Sequence, residues 1–261
     1  MAIAGFDPSA GAGILADIKT ISAMGCYGVA VITSLTLQNT LGVFGAHHQT
    51  ARMVSEQMRV LLEDFQVAAA KTGMLPTRQI IQAVRESLSR ARIEHIVVDP
   101  VVRSTTGYDL IDEESLEGLI ELLFPLASLV TPNLVEAERI AGLKIGDSKA
   151  AISAARKIMD MGPRAVLIKG GHLESRAATD ILLDSDGVIE ISSEKIQSKN
   201  THGTGCTLAS AIASLLARGF ELRRAVYAAK QYVSRAIRAA PELGHGFGPL
   251  NHFPNLAADR D

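Results

Sequence analysis

The chain has 261 residues, 47% of them apolar, and a formal net charge of −2. That composition supports one large core or two small ones, and the near-neutral charge argues against nucleic acid or an anionic membrane as the main partner. No apolar run approaches a membrane span, the N-terminus lacks a signal-peptide pattern, and the two cysteines, Cys26 and Cys206, form neither a disulfide framework nor a metal cluster. A reduced, cytoplasmic protein is expected.

In chain order, short β-rich runs alternate with amphipathic stretches. A brief strand is expected at 2–5 and a helix at 13–24, stopped by Gly25. Strands follow at 29–37 and, more exposed, at 43–49. Residues 53–65 are helical, with Val54, Met58, Leu61, Leu62 and Phe65 on one face. Next come a strand at 67–71, a helix at 76–91 opened by Pro76, a strand at 95–99 and a helix at 113–123. A strand at 128–131 leads to a helix at 134–141, closed by Gly142. Ser148 is the expected N-cap of a helix at 148–161, and a strand follows at 165–169. Strands at 180–183 and 188–191 form a hairpin around Ser185, Asp186 and Gly187. Helices at 204–217 and 223–240 complete the chain. The alternation predicts one α/β domain with a largely parallel sheet covered by helices on both faces.

In such sheets ligands bind beyond the carboxyl ends of the strands. Asp7, Gln38, Asp99, Asn133 and Lys169 all fall there. The most informative segment is NTHGTGCTLASAI, residues 200–212. Gly203, Thr204, Gly205 and Cys206 precede or open a small-residue helix, whose first N–H groups and positive end make an anion hole suited to phosphate. The same place would lower the pKa of the Cys206 thiol. The bland reading is a glycine-rich loop before an ordinary helix.

The first loop, GFDPSAGAGILAD, contains a GxGxxA match at Gly11, Gly13 and Ala16. Dinucleotide binding needs that pattern directly after its strand and an acid after the second strand. Neither condition is met. A close-approach loop over a small ligand fits better. Asp17, among Leu15, Ala16 and Ile18, reads equally as a solvated helix residue or a ligand contact. Gln38 offers an amide that can pair with a ring nitrogen and an amino group together. Asn39 and Thr40 read better as a self-bonded turn. Asp99, after HIVV, could hold Mg²⁺. Glu136 follows Asn133 in TPNLVEAE, in a first helical turn where the dipole alone would favour it. Lys169 closes an apolar strand and needs a counter-charge, which a nucleotide phosphate would supply. Lys230 lies on a helix, where most lysines are solvated. There is no P-loop and no protein-kinase loop set.

Taken in order, AGFDPSAGAGILADIKT, LQNT, KTGML, VVDPVV, TPNLVEAE, LIKGGH, NTHGTGCT and GHGFGPLNH resemble the ribokinase superfamily, and closely the hydroxymethylpyrimidine/phosphomethylpyrimidine kinases of thiamin biosynthesis. The resemblance covers essentially the whole chain. It implies a single ribokinase-like domain over 1–261, usually dimeric, that uses ATP and Mg²⁺. Such a kinase phosphorylates 4-amino-5-hydroxymethyl-2-methylpyrimidine and then its monophosphate. By the same resemblance, Gly5, Asp17, Gln38 and Met74 contact the pyrimidine, and Asp99 and Glu136 serve the metal. Asn133, Lys169, Thr201 and Lys230 serve the nucleotide. Gly203 to Cys206 form the anion hole, with Cys206 where most ribokinase relatives carry an aspartate base.

The chain departs from the family pattern in three places. Only Ala2, Ile3 and Ala4 separate Met1 from Gly5, so either the first strand is short or the start is misassigned. Phe6 replaces a small Ser or Thr, either crowding the ring or packing the loop. Arg103, in VVRSTTG, either adds charge near the phosphates or lies on the surface. The rival readings are a pyridoxal kinase of the same fold and a non-catalytic pyrimidine-binding sensor. A sensor has no need of Asp99, Glu136 and Lys169 together.

Overall fold

Strand alternation sorts the core into two faces. In the strand His95–Val98, Ile96 and Val98 join one apolar cluster and Val97 joins another. A strand buried on both sides must lie inside a sheet with helices above and below. The computed structural model has that architecture. It describes residues 1–104, 107–170 and 177–254; Thr105 and Thr106 of VVRSTTG, and Gly171 and His172 of LIKGGH, lie outside them.

Among the described residues, nine strands form one sheet: β1 (Ala2–Phe6), β2 (Ala30–Asn39), β3 (Gly42–His48), β4 (Ala69–Thr72), β5 (His95–Val98), β6 (Leu129–Val130), β7 (Val166–Ile168), β8 (Ala177–Asp184) and β9 (Gly187–Glu194). Their order is β3-β2-β1-β4-β5-β6-β7-β8-β9. The strands from β2 to β7 run parallel, while β3, β8 and β9 each run antiparallel to the strand before them in that order or the next. One face carries α2 (Ala51–Asp64), α3 (Arg78–Ala91), α4 (Glu113–Leu123), α5 (Leu134–Ala141) and α6 (Ser148–Met159). The other carries α1 (Gly13–Ala23), α7 (Thr204–Ala217) and α8 (Leu222–Arg238). The expected three-layer α/β arrangement of a ribokinase-like fold is therefore present.

The differences from expectation are local. Pro76 does not open α3; the Thr77 side chain accepts from Ile80 N, and the helix starts after it. Ser148 is not the cap of α6; Asp147 accepts from Ala150 N, because the carboxylate one residue earlier is the better acceptor. The hairpin is longer than expected, with Gly187 at φ +112° completing its turn.

Two chain ends meet across the top of the sheet. The segment 244–252 straps down on Thr40, whose Oγ1 accepts from His245 N and Gly246 N, both at 3.2 Å. Thr40 is thus a structural turn residue, and Asn39 closes the same turn by accepting from Leu41 N. The strap's Gly248 carbonyl accepts from His202 N. Its last turn buries His252, whose Nε2 lies 3.3 Å from Thr207 Oγ1, while Tyr232 Oη donates to the His252 carbonyl.

Burial lowers the His252 pKa from 6.5 to about 4, with Lys19 adding to the effect. The folded state therefore keeps this ring neutral. Its contribution is complete above the unfolded pKa near 6.5 and is lost as pH falls through about 4. The loss amounts to roughly 3 kcal/mol. Urea titrations from pH 7 to pH 4 should show a steeper fall in stability for the native chain than for His252→Asn, which cannot titrate. Equal slopes would rule the linkage out.

Candidate active site

The carboxyl ends of the parallel strands open into a cavity of about 780 Å³. Its first wall is the loop after β1. Gly13 sits at φ +56°, and a Cβ there would lie 2.3 Å from the Gly5 carbonyl oxygen. Only glycine allows this turn. Met74, nearly buried, closes the floor, with its Sδ 3.0 Å from where a Gly5 Cβ would be. Gly5, Gln38 and Met74 all line the cavity.

Asp17 does not. Its side chain is fully buried, takes a bidentate pair from Lys71 Nζ at 2.8 and 2.9 Å, and accepts from Ser210 Oγ at 2.8 Å. The expectation of a pyrimidine contact for Asp17 is corrected on that ground: its lone pairs are spent inside the core, behind the wall rather than on it.

The centre of the cleft is ionic. Lys169 Nζ donates to Asp99 Oδ1 at 2.8 Å and lies 4.0 Å from Glu136 Oε2. Thr131 Oγ1 donates to the same Asp99 oxygen. Burial alone would lower the Lys169 pKa, but Asp99 and Glu136 outweigh it and hold the ammonium above its ordinary value. Glu136 and Asn133 form a capping box at the start of α5, each accepting from the other's backbone N–H. Both also line the cavity. Burial pushes the Glu136 carboxyl up to about 7; Lys169 opposes that rise and the nearby Asp99 charge adds to it. A further cation between the two carboxylates would relieve that crowding. Among the described residues no cluster of three or more His, Cys, Asp or Glu is placed to hold a metal. Two carboxylates, Asp99 and Glu136, beside an open cavity fit a hydrated Mg²⁺, which keeps several waters and takes few protein ligands.

Opposite this pair lies the first turn of α7, capped by Gly203 at φ +81°. A Gly203 Cβ would lie 1.9 Å from the Gly11 carbonyl oxygen. A Gly205 Cβ would fill the space 3.3 Å from Lys169 Nζ and 3.6 Å from Asp99 Oδ2. Without it, the N–H groups of Gly205 and Cys206 are left open beside the cavity, while Thr207 N is taken by the Gly203 carbonyl. Thr201 lines the entry, and its carbonyl accepts from Thr204 N and Thr204 Oγ1.

The thiol of Cys206 differs from expectation. It is half-buried where it borders the cavity, and desolvation pushes its pKa up to about 11; Lys71 and the Gly13 N–H pull the other way, while Asp17 and Asp99 add to the rise. Desolvation overrides the helix terminus.

Lys230 also departs from the solvated reading. It is nearly buried, 2.6 Å from Asp180 Oδ2, and donates to the Ala178 carbonyl. Asp180, not singled out in the sequence, accepts from Gly170 N as well and so links Lys230 to the residue after Lys169. Arg103 lines the rim, more than half exposed, and pairs with Asp109 at 2.7 Å. Phe6 is the half-buried last residue of β1, and its carbonyl accepts from Thr36 Oγ1. His202 and Asp7 were missed as a unit: His202 Nε2 lies 2.8 Å from Asp7 Oδ2, across 195 residues of sequence.

A neutral thiol at pH 7 alkylates slowly. In a Cys26→Ala background, iodoacetamide labelling of Cys206 should stay slow near pH 8 and accelerate only toward pH 10 and above. A midpoint below pH 8 would restore the helix-terminus reading.

Residues 7–251 match the family described as phosphomethylpyrimidine kinase. A thiamine biosynthesis bifunctional protein of Geobacter sulfurreducens is 47% identical over 259 residues, 99% of this chain, which spans about half (52%) of that protein. A hydroxymethylpyrimidine/phosphomethylpyrimidine kinase of Rhizobium meliloti is 46% identical, covering 97% of this chain and 96% of its own. Among solved structures, a phosphomethylpyrimidine kinase of Clostridium difficile superposes with a TM-score of 0.81 at 42% identity, over 90% of this chain and 97% of that one. Bacillus subtilis pyridoxal kinase in an ADP complex gives 0.90 at 33% identity, over 98% and 97%. With the match to the family running over most of its length, and identity above 40% to relatives that it covers almost end to end, the chain belongs to the phosphomethylpyrimidine kinase family.

Proposed function

We propose that the protein transfers the γ-phosphoryl group of ATP to the hydroxymethyl oxygen of 4-amino-5-hydroxymethyl-2-methylpyrimidine, and then to a phosphate oxygen of the monophosphate formed. The observation that carries this reading is the glycine-lined first turn of α7 facing the Lys169–Asp99 pair. An acceptor oxygen held there attacks phosphorus, the bond to the β-phosphate oxygen breaks, and ADP leaves. Charge spreads over the transferring group, and the open N–H groups of Gly205 and Cys206, in the Gly203 to Cys206 turn, stabilise it with Lys169. Because the transition state is loose, proton removal comes late and a neutral Cys206 thiol suffices to shape the hole. Asn133, Thr201 and Lys230 line the nucleotide side, and Asp99 and Glu136 are the carboxylates that would hold Mg²⁺, which neutralises the phosphates when bound.

The reading takes 1–261 as one kinase domain, supported by the continuous sheet. It takes the cytoplasm as its site, supported by two free cysteines; no helix of the described residues is long and apolar enough to cross a membrane. Pyridoxal kinase is the second reading, favoured by the higher structural overlap with pyridoxal kinases. The higher sequence identity lies with the pyrimidine kinases.

One assay separates the readings. Product analysis with ATP should show the pyrimidine converted to monophosphate and then diphosphate, with pyridoxal turned over more slowly. Asp99→Asn in the same assay should raise the half-saturating Mg²⁺ concentration by roughly tenfold or more. Rapid phosphorylation of pyridoxal alone would make the protein a pyridoxal kinase.

A homodimer is part of the same proposal. Leu35, Leu37, Leu41 and Phe44 form an exposed apolar group on β2, β3 and their turn, at the edge of the sheet. A second copy is the occupant that family resemblance implies. Sedimentation should give a dimer for the native chain and a monomer for Leu37→Asp with Phe44→Asp. A native monomer would refute it.

A further inference from the structure

Hydrogen counting around Gln38 decides which way round its amide lies. The amide nitrogen is placed 3.1 Å from His202 Nε2 and the amide oxygen 3.0 Å from Thr36 Oγ1. Thr36 Oγ1 has one proton, and the Phe6 carbonyl, which can only accept, lies 2.9 Å away. The proton goes there, so Thr36 has none for Gln38 and needs a donor instead.

The other side gives the same answer. His202 Nε2 is 2.8 Å from Asp7 Oδ2. A bare ring nitrogen at that distance from a carboxylate would repel it, so Nε2 carries a proton. An amide NH₂ facing that N–H would set donor against donor. Exchanging the oxygen and nitrogen of Gln38 removes both conflicts with no other movement. The His202 N–H is then shared by Asp7 and the Gln38 oxygen, and the Gln38 nitrogen donates to Thr36. One amide N–H and one oxygen lone pair remain, at a residue that lines the cavity.

The His202 ring is itself fixed. Asp7 is anchored by accepting from Ser9 N, Ser9 Oγ and Ala12 N. The ring packs so closely on Gly11 that a Cβ there would lie 2.3 Å from its Cδ2. The amide therefore has a rigid backing on one side and the Thr36–Phe6 chain on the other.

We propose that His202, held by Asp7, is a specificity-determining positioning residue: it locks the Gln38 amide so that the cleft presents an N–H beside a carbonyl oxygen in one fixed order. That order selects a ring edge bearing an acceptor nitrogen next to an amino group. It rejects an edge in which a ring N–H stands next to a carbonyl. The inference rests on the pyrimidine reading above and assigns what enforces its choice of ring.

The test compares the 4-amino pyrimidine with its 4-oxo analogue, whose ring edge has the reversed order. Their dissociation constants are measured by calorimetry on the native chain and on His202→Phe and His202→Gln. The native chain should prefer the amino compound by about tenfold or more, the effect of one unmade buried hydrogen bond. His202→Phe keeps the ring and removes the donor, and the ratio should fall to within about threefold of unity, a small fraction of that bond. His202→Gln restores an N–H and should recover most of the preference. In turnover, the loss for the amino compound should appear mainly in KM. A role in packing alone would weaken both ligands together and leave the ratio unchanged, and that result overturns the proposal. If His202→Phe does not fold, Asp7→Asn, which removes the carboxylate that keeps the proton on His202 Nε2, carries the same expectation. Failure of the pyrimidine reading is separately visible: a native chain that binds pyridoxal and neither pyrimidine overturns both.

Discussion

The Lys71 ammonium has no route to water, and its neutralisation ties the molecule together. Lys71 lies on β4, Asp17 on α1 and Ser210 on α7, and all three side chains meet in a fully buried cluster. Burial works against both charges, but the bidentate contact holds Lys71 above its ordinary pKa. Such a pair adds little net stability over an apolar substitute, yet leaving one partner alone costs about 3–5 kcal/mol. Its effect is positional. The helix that follows the β1 loop, α1, and the helix that opens at Gly203, α7, are both referenced to the same point on the sheet. The two walls of the cleft thus inherit one origin.

The strands and helices were largely legible because their signals are local. Periodicity, β-branching and closing glycines such as Gly25 and Gly142 lie within each element. The small errors at Pro76 and Ser148 arose where a neighbouring oxygen, that of Thr77 or Asp147, accepted first-turn N–H groups better. Placing the polar residues at strand ends followed from topology alone, and the structure gathers Gln38, Asp99, Asn133 and Lys169 round one cavity.

What the sequence hid is set by partners far along the chain. Asp17 reads as a solvated helix residue or a ligand contact until Lys71, 54 residues later, is seen beneath it. Cys206 reads as an activated thiol from its helix position, because the desolvation that raises its pKa leaves no local trace. Lys230 reads as solvated until Asp180 and the Ala178 carbonyl close on it. In each case the deciding quantity is desolvation, which no short window of sequence contains.

The strap at 244–252 and the interlock of Gly11 with Gly203 have a consequence for how the chain is made. One wall of the cavity comes from the first 40 or so residues, but the loop that leans on it lies beyond residue 200 and is itself held by the last described segment. During synthesis the early strands emerge long before their partners, and contacts of such sequence separation form late. A nascent chain therefore exposes half a binding surface with nothing to close it. Closure of the cavity waits for the segment 244–252, although none of its residues lines that cavity.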